Sequence, residues 1–388
     1  MSISIEELNR MNPDSYQIID IRDETEIGHG AIPGAVAVAT EEIEGNEKID
    51  FSKKLVICCS RGKYSVDVAE ELSEKGIDAE SLEGGYIAWL IDNMKQKEAA
   101  EKAGEGSFAK DVEQSLRKKF RKSIWCKFTK AINEYELVKP GDKIAVCISG
   151  GKDSMLMAKL FQELKRHNKF DFEVKFLVMD PGYSPANRQV IEENAKRLEI
   201  PIEIFESDIF DSVYNVEKSP CYLCARMRRG YLYSHAQKMG CNKIALGHHY
   251  DDVIETILMG MLYSAQFQTM MPKLHSTNFE GMELIRPLYM VREEDIKAWR
   301  DYNDLYFLQC ACKFTEACAT TENEENLSKR KEIKELIATL KKVNPYVEGN
   351  IFKSVENVNL DTVVAYKSKG EKHHFLDTYD EKSEEQGE

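Results

Sequence analysis

The stretch CISGGKDSML, residues 147–156, turns the chain sharply between two apolar runs. The overlapping run DKIAVCIS, residues 142–149, has the composition of a buried strand, and the residues after the glycines have helical spacing. Gly150 and Gly151 allow the backbone to approach a ligand closely, and a helix that begins there offers unpaired N–H groups to an anion. The stretch therefore predicts a phosphate-binding loop without Walker A spacing; an ordinary glycine turn is the alternative.

The segments around this loop alternate between strand and helix patterns. VKFLVMD, IEIFE and NKIALG each have the composition of a strand, and each is followed by a helical pattern. This alternation predicts an α/β fold with a doubly wound parallel sheet. Ligands of such sheets bind beyond the carboxyl ends of the strands, so we expect the functional site at that edge.

The composition is that of a folded protein with more than one domain. The chain has 388 residues, of which 42% are hydrophobic and 31% charged, and its net charge of −14 disfavours a surface that binds nucleic acid throughout. No apolar run reaches the length of a membrane span and the first residues lack a signal-peptide pattern, so we expect a cytoplasmic protein that binds no membrane. Ten cysteines are then expected to be metal ligands, catalytic thiols or core residues rather than disulfides.

The pattern of residues divides the chain into four regions. Residues 1–95 have an α/β pattern, 96–111 form a charged linker, 112–365 contain the glycine loop, and 366–388 form an acidic tail that we expect to be disordered. The third region begins with an amphipathic helix whose apolar residues recur every fourth position: Leu116, Phe120, Ile124, Phe128 and Ile132. Its other faces are basic and are expected to bind RNA phosphates through Arg117, Lys118 and Arg121; a solvated helix face is the alternative.

Cysteines with metal-ligand spacing follow the loop. SPCYLCARMRRG, residues 219–230, places Cys221 and Cys224 in C-x-x-C spacing, which lets two thiolates reach one metal. The arginines that follow are a second expected RNA contact, made by Arg226, Arg228 and Arg229. Other cysteines lie in apolar periodic positions and are expected in the core: Cys126, Cys147 and Cys241.

Taken in order, the basic helix, SGGKDS, C-x-x-C-x-R-x-R-R-G, GHHYDD at 247–252 and the late LQCACKF at 308–314 resemble the tRNA 2-thiocytidine synthetases. These are PP-loop ATP pyrophosphatases with an adenine nucleotide alpha hydrolase-like (HUP) fold, which cleave ATP between the α and β phosphates and transfer AMP to a substrate oxygen. The resemblance implies that the following residues bind ATP: Ser149, Gly150, Gly151, Lys152, Asp153, Ser154, Met179, Gly247, His248 and Asp252. It implies catalytic roles for Lys152, Asp153 and Asp251, with Asp153 helping to place Mg²⁺; for the carboxylates at 251 and 252 a helix N-cap is the alternative.

The same resemblance implies a 4Fe-4S cluster on three cysteines, with one iron left to bind the sulfur that is transferred. Cys221 and Cys224 would supply two thiolates. Cys312 is preferred as the third because it lies nearer the carboxyl end of a strand, with Cys310 as the alternative. The sequence has C-x-C where the family has C-x-x-C, and zinc completed by Cys318 is the alternative metal.

A second loop, CCSRGKYS at 58–65, repeats the order of strand, glycine turn and helix with a cysteine in the turn. Backbone N–H groups there would lower the pKa of Cys59 and suit a nucleophilic thiolate. With DIR at 20–22, GHGAIPGA at 28–35 and GGYIAWL at 84–90, residues 1–95 resemble a single-domain rhodanese. The resemblance implies that Cys59 carries sulfane sulfur, whereas Cys58 lies within the strand and is expected to be buried. Tyr64 stands where many relatives have Arg, which argues against thiosulfate and leaves a persulfide relay open; an inactive regulatory domain is the alternative.

The two resemblances together predict an ATP-dependent tRNA sulfurtransferase. It would adenylate the C2 carbonyl of a pyrimidine, with cytidine preferred, and insert sulfur that the rhodanese-like domain relays. Expected partners are tRNA and a sulfur donor, which is a cysteine desulfurase persulfide, thiosulfate or sulfide, and the oligomeric state stays open between monomer and homodimer. A tRNA uridine or a small metabolite is the alternative sulfur acceptor. A non-catalytic sulfur-sensing module is the alternative to an enzyme.

Overall fold

The computed structural model describes residues 2–28, 30–102, 107–167, 170–207, 220–308 and 321–379. Within these ranges it describes side chains except at 24–25, 100–102, 220–226 and 321–328. The chain forms two compact units, residues 1–251 with 271–325, and residues 252–270 with 326–388. Among the described helices, none combines the length and the apolar character that crossing a bilayer requires.

The N-terminal part of the first unit is built on a parallel sheet with the strand order β1-β5-β4-β2-β3. Its strands are β1 (Ser2–Ile3), β2 (Tyr16–Asp20), β3 (Val36–Ala37), β4 (Lys54–Cys58) and β5 (Ala79–Leu82). Its helices are α1 (Ile5–Leu8), α2 (Glu24–Gly28), α3 (Tyr64–Glu74) and α4 (Gly85–Lys102). The central strands β2 and β4 contribute Ile19, Leu55 and Ile57 to a core that Val68 and Leu72 of α3 cover. The carboxyl ends of β2 and β4 therefore lie side by side, with Cys59 directly after β4.

The second sheet of this unit has the order β10-β11-β9-β6-β7-β8 and is parallel except for β10. Its strands are β6 (Lys143–Ile148), β7 (Glu173–Asp180), β8 (Ile202–Glu206), β9 (Lys243–Ala245), β10 (Lys273–His275) and β11 (Glu283–Ile285). The helices in this region are α5 (Phe108–Arg117), α6 (Cys126–Glu134), α7 (Lys152–His167), α8 (Pro185–Arg197), α9 (Pro220–Lys238) and α11 (Glu293–Tyr302); α10 (Tyr250–Ser264) belongs to the second unit from residue 252 on. Successive strands β6, β7 and β8 run to one side, whereas β9 lies on the other side of β6. The strand order thus reverses between β6 and β9, which is where open α/β sheets bind ligands.

The predicted basic helix is broken in the structure. A π-helical turn at Arg121–Trp125 joins α5 to α6, and the Trp125 N–H donates to the Phe120 carbonyl, five residues earlier, at 3.2 Å. An α-helix has 3.6 residues per turn, so apolar residues at every fourth position gradually rotate away from one face. The wider π-helical turn returns the later ones to that face. All five apolar residues of the fourfold series are buried. Cys126 lies two positions from the buried Ile124 and Phe128 and faces outward, so its predicted core position is wrong.

Two region boundaries also differ from those expected. Residues 96–102 of the expected linker are the last turns of α4, and α5 begins at Phe108. In the second unit, which also contains α12 (Thr321–Val343) and α13 (Val347–Ser354), residues 366–379 of the expected tail are ordered. They form a hairpin of β12 (Ala365–Ser368) and β13 (Glu371–His374) joined by Lys369 and Gly370, which both have positive φ. Such a two-residue turn matches the twist of paired strands.

Candidate active site

The glycine loop lies between β6 and α7 at the point where the strand order reverses. Gly150 has φ +87°, and a Cβ there would lie 2.6 Å from Ile191 Cγ1, so only glycine fits. Ser154 Oγ donates to the Gly151 carbonyl at 2.9 Å and accepts from the Ser149 N–H at 3.2 Å. The two serines thus fix the loop, and the N-terminus of α7 faces the space beyond the strands.

Lys152 is held beside this loop by two carboxylates. Its side chain is only 5% exposed, and Nζ lies 3.3 Å from Asp153 Oδ2 and 3.2 Å from Glu293 Oε1. Glu293 is the first residue of α11, 141 positions away along the chain, and its own exposure is 17%. The loop therefore carries a nearly buried cation whose counter-charges come from two separate elements. Glu293 was not among the predicted site residues.

Asp153 has one carboxylate oxygen that the protein does not use. Its Oδ1 is buried and has no hydrogen-bond partner among the described residues, and His249 Nε2 lies 4.0 Å away. A buried carboxylate oxygen without a partner costs free energy, and a cation would remove that cost. Next to it, a Cβ at Gly247 would lie 3.3 Å from the Ser154 N–H nitrogen, so the loop after β9 packs on the start of α7 by backbone contact.

The other residues that were predicted to act at the ATP site lie in different surroundings. Met179 is buried near the end of β7 and His248 is half-buried in the loop after β9. Asp251 accepts from the Glu293 N–H at 2.7 Å and lies 3.1 Å from Arg292 NH2, so it caps α11. Asp252 belongs to the second unit, where Arg330 lies 3.5 Å from its Oδ1. Asp251 is the second residue of α10 and bonds the start of α11, so it is not the N-cap of its own helix.

The predicted metal ligands fall where no side chain is described. The positions of Cys221 and Cys224 are in the first turns of α9, three residues apart, and Cys310, Cys312 and Cys318 lie outside the described residues. Among the side chains that are described, no group of three His, Cys, Asp or Glu could hold a metal ion. Cys147 and Cys241 are buried as predicted, and burial raises the pKa of Cys147 to about 12.

The basic residues proposed for RNA lie in different environments. Lys118 and Arg121 are exposed, whereas Arg117 Nε lies 3.2 Å from Glu163 Oε2, which is fully buried. Arg228 donates to the Tyr183 hydroxyl at 3.2 Å, and Arg229 is exposed. The side chain of Arg226 lies outside those described. Arg117, Lys118, Arg121 and Arg229 are thus open to solvent, and of these Arg117 also pairs with a buried carboxylate.

The cysteine loop after β4 surrounds one sulfur atom with donors. Cys59 Sγ accepts from the Gly62 N–H at 3.2 Å and the Ser65 N–H at 3.4 Å, and Ser65 Oγ lies 3.2 Å away. Burial alone would raise the pKa of Cys59, but the hydrogen bonds from Ser65 and from the N–H groups of Arg61 and Gly62 outweigh it, so its pKa is lowered. Cys58 is fully buried, as predicted, and burial raises its pKa. The two adjacent cysteines therefore have pKa values shifted in opposite directions.

Three residues to which the sequence analysis assigned no individual role support this loop: Ser65, Ser81 and Gly85. Ser65 Oγ is 2.8 Å from Ser81 Oγ on β5, which fixes its orientation toward the sulfur. Gly85 has φ +58°, and a Cβ there would lie 2.2 Å from the Cys59 carbonyl oxygen. The paired glycines at 84–85 were the available signal, since a residue that supports the loop this closely must lack a side chain.

Comparison with known proteins places both loops in recognised domains. Residues 4–92 match a rhodanese-like domain and residues 121–312 match a PP-loop domain. The chain is 35% identical over 231 residues to a tRNA-cytidine(32) 2-sulfurtransferase of Anaeromyxobacter sp. (strain K), covering 59% of this chain and 76% of the relative.

A second sequence relative and one solved structure are also similar to this chain. A tRNA-cytidine(32) 2-sulfurtransferase of Geotalea uraniireducens (strain Rf4) is 35% identical over 245 residues, covering 61% of this chain and 93% of the relative. The structure of the U34-tRNA thiolase NcsA from Methanococcus maripaludis with its 4Fe-4S cluster is 20% identical, with a TM-score of 0.47, covering 65% of this chain and 80% of that chain. The chain belongs to the tRNA-cytidine(32) 2-sulfurtransferase family of PP-loop enzymes and carries a rhodanese-like domain ahead of the PP-loop domain.

Proposed function

We propose that this enzyme replaces the C2 oxygen of a tRNA cytidine with sulfur at the expense of ATP, and that its rhodanese-like domain supplies the sulfur. The observation that carries the proposal is the loop at 149–154, which lies at the reversal of the strand order in a chain 35% identical to tRNA-cytidine(32) 2-sulfurtransferases. The names of these relatives specify cytidine at position 32, which we adopt for this chain.

ATP would bind with its β and γ phosphates at Ser149–Ser154. The N–H groups at the start of α7 would donate to phosphate oxygens, and Lys152 would exchange its contact with Glu293 for the charge that develops on the leaving pyrophosphate. The unused Oδ1 of Asp153 is an oxygen ligand of the kind that Mg²⁺ takes, so Asp153 would hold the metal that accompanies ATP. Asp251 would act by holding α11, and hence Glu293, in place.

The chemical steps follow from the bonds that must change. The C2 carbonyl oxygen of cytidine attacks the α-phosphorus of ATP, an O–P bond forms, and pyrophosphate leaves. A hydrosulfide nucleophile then adds to C2, the C2–O bond breaks, and AMP departs with the original oxygen. Binding interactions that orient the base against the α-phosphorus accelerate the first of these steps.

The cysteines fit an iron-sulfur cluster by their number and chemistry. Cys221 and Cys224 stand three positions apart at the start of α9, and Cys312, with Cys310 as the alternative, would be the third thiolate ligand. A 4Fe-4S cluster on three thiolates would supply an open iron position for sulfur. Zinc, which favours four protein ligands in structural sites, would require Cys318 as well.

Cys59 would carry the sulfur that enters. Its thiolate attacks the sulfane sulfur of a persulfide donor, a new S–S bond forms, and the donor's thiolate leaves. Release of that sulfur at the oxidation level of hydrosulfide takes two electrons, which a thiol reductant supplies as it becomes a disulfide. The lowered pKa of Cys59 and the donors around its Sγ support this role.

Thiolation of a defined transcript tests the proposal. Anaerobically purified enzyme, ATP, Mg²⁺ and sodium sulfide are incubated with unmodified tRNA, and digested nucleosides are analysed by mass spectrometry alongside pyrophosphate release. We expect 2-thiocytidine and pyrophosphate in equal amounts, and neither with Lys152→Ala. Thiouridine, or no thiolated nucleoside despite bound tRNA and a loaded metal site, would overturn the assignment.

A further inference from the structure

The PP-loop domain contacts the rhodanese-like domain at the edge that carries Cys59. The Tyr86 N–H donates to the Cys59 carbonyl at 2.9 Å, so Tyr86 is fixed directly to the cysteine loop. Its ring is buried beneath the Arg22 guanidinium, 3.7 Å away, and stacks on Trp89. Trp89 in turn meets Tyr306 of the PP-loop domain edge to face, at 5.6 Å between ring centroids. An aromatic row thus runs from the cysteine loop into the other domain.

A single helix joins this edge to the glycine loop. At its first residue, α11 presents Glu293 to Lys152, and near its end Arg300 NH1 donates to the Gly28 carbonyl of the rhodanese-like domain at 2.9 Å. Arg300 is 8% exposed. Glu293 and Arg300 are seven positions apart, which is about 10 Å along a helix. The rhodanese edge is therefore held by a rigid element whose other end contacts the ATP loop.

The segment after α11 makes a second connection. The Tyr306 carbonyl accepts from Asn194 Nδ2 at 2.9 Å, which fixes the residue that meets Trp89. Two residues later, the Leu308 carbonyl oxygen lies 3.6 Å from the position of a Cβ at Gly151. Leu305, Phe307 and Leu308 are buried, so this segment is anchored in the PP-loop domain along its length.

Helix α4 further restricts movement between the domains. It begins at Gly85 beside the cysteine loop and continues to Lys102. On it, Lys97 pairs with Asp304 and lies over the Tyr306 ring, and Glu98 pairs with Lys196 at 2.8 Å. Burial disfavours the Asp304 carboxylate, but bonds to Lys97 and Tyr306 outweigh this and lower its pKa. Lys97 and Glu98, which fall in the expected charged linker, are thus docked on the PP-loop domain.

We propose that the rhodanese-like domain passes sulfur to the PP-loop domain of the same chain while docked through this edge, with Tyr86 and Tyr306 as positioning residues. The inference rests on the proposed function for its chemistry, whereas the docking itself is independent of it. A docked donor meets its acceptor at a high effective concentration without a swinging movement. Intermolecular transfer between two chains is then unnecessary.

Zero-length cross-linking tests the docking without reference to activity. A water-soluble carbodiimide joins an amine to a carboxylate only where they are in contact, so it should link Lys97 to Asp304 and Lys196 to Glu98 in the full-length protein, as read by peptide mass spectrometry. Tyr306→Ala should lower the Lys97–Asp304 yield several-fold. Tyr306→Phe, which keeps the ring, and Tyr346→Ala, at a residue 77% exposed in the second unit, should not. Absence of both cross-links in the wild-type protein would overturn the docking.

Complementation tests transfer within one chain. Cys59→Ala lacks the donor thiol and Lys152→Ala lacks the ATP cation, so an equimolar mixture fed a sulfane donor should stay inactive if sulfur passes only in cis. Recovery of thiolation in the mixture would overturn the inference. Tyr306→Ala alone should lower the thiolation rate with the sulfane donor about tenfold and leave the rate with sulfide unchanged. Tyr306→Phe should thiolate with the sulfane donor at the wild-type rate. Failure of wild-type enzyme with sulfide would count against the proposed function, not the docking.

Discussion

Lys152 and Glu293 form a nearly buried ion pair, with Nζ 3.2 Å from Oε1, between the glycine loop and the first residue of α11. The pair joins the element that would bind ATP to the helix that reaches the rhodanese-like domain. Removing one partner of such a pair leaves the other charge poorly solvated, whereas removing both is much less costly. We therefore expect substitutions in this pair to change both the free energy of unfolding and the enzymatic activity.

A double-mutant cycle measures this pair. We expect Lys152→Met and Glu293→Gln to show a coupling free energy of at least about 1 kcal/mol in urea unfolding. Lys297 provides the control, because it lies 3.3 Å from the same carboxylate but is 42% exposed, and Lys297→Met should couple by no more than about 0.5 kcal/mol. Every variant that lacks Lys152 should lose pyrophosphate release. Equal coupling for the two lysines would contradict the account.

The Ser65 hydroxyl should control the reactivity of Cys59. Hydrogen bonds lower the pKa of Cys59, so its alkylation by iodoacetamide should rise with pH and level off at a lower pH than for an ordinary thiol. Ser65→Ala removes one of the lowering contacts and should shift this profile to higher pH. Ser73→Ala, which removes a hydroxyl bonded to the Ala69 carbonyl on the same helix, is the control. Superimposable profiles for Ser65→Ala and wild type, read at the Cys59 peptide, would refute the assignment.

Gly85 should be essential to the cysteine loop. Gly85→Ala places a Cβ 2.2 Å from the Cys59 carbonyl at a positive φ, so the loop must shift. We expect loss of sulfane-dependent thiolation, a destabilisation of about 1–3 kcal/mol, and unchanged sulfide-dependent thiolation. Gly45→Ala is the matched control in the same domain, because no atom lies within 4 Å of its Cβ position. Unimpaired use of the sulfane donor by Gly85→Ala would show that this loop does not carry the sulfur.

The exposed basic residues should act on tRNA through charge. Lys118→Ala with Arg121→Ala should weaken tRNA binding about tenfold at low salt and reduce the slope of log affinity against log salt by about 1–2. ATP binding should be unaffected. Lys48→Ala, at an exposed lysine of the rhodanese-like domain, should change neither quantity. An unchanged salt slope in the double variant would assign these residues to a solvated helix face.

Local patterns predicted the two loops well because each depends on contiguous residues. A strand, a glycine turn and a helix N-terminus are encoded within about ten residues, and Gly150 and Cys59 take the positions that this pattern implies. The parallel sheets follow from the same alternation of strands and helices. What surrounds each loop depends on tertiary contacts, so the partners Glu293 and Ser81 gave no local signal.

The wrong expectations have physical reasons of their own. KQKEAAEKA at 95–103 is charged and lacks an apolar stripe, but Ala, Glu, Lys and Gln are strong helix formers, and its first eight residues continue α4. Cys126 follows an apolar period that a π-helical turn interrupts. Most of the hairpin at 365–374 fell within the expected acidic tail, because the turn at residues 369–370 that directs it occupies only two residues.

The most direct test of the central claim follows the oxygen that leaves. A tRNA transcript carrying ¹⁸O at the C2 carbonyl of its cytidines is thiolated with ATP and sulfide, and the AMP is analysed by mass spectrometry. If ATP adenylates this oxygen, every 2-thiocytidine formed should yield one ¹⁸O-labelled AMP, and Lys152→Ala should yield none. Unlabelled AMP formed together with 2-thiocytidine would contradict the account.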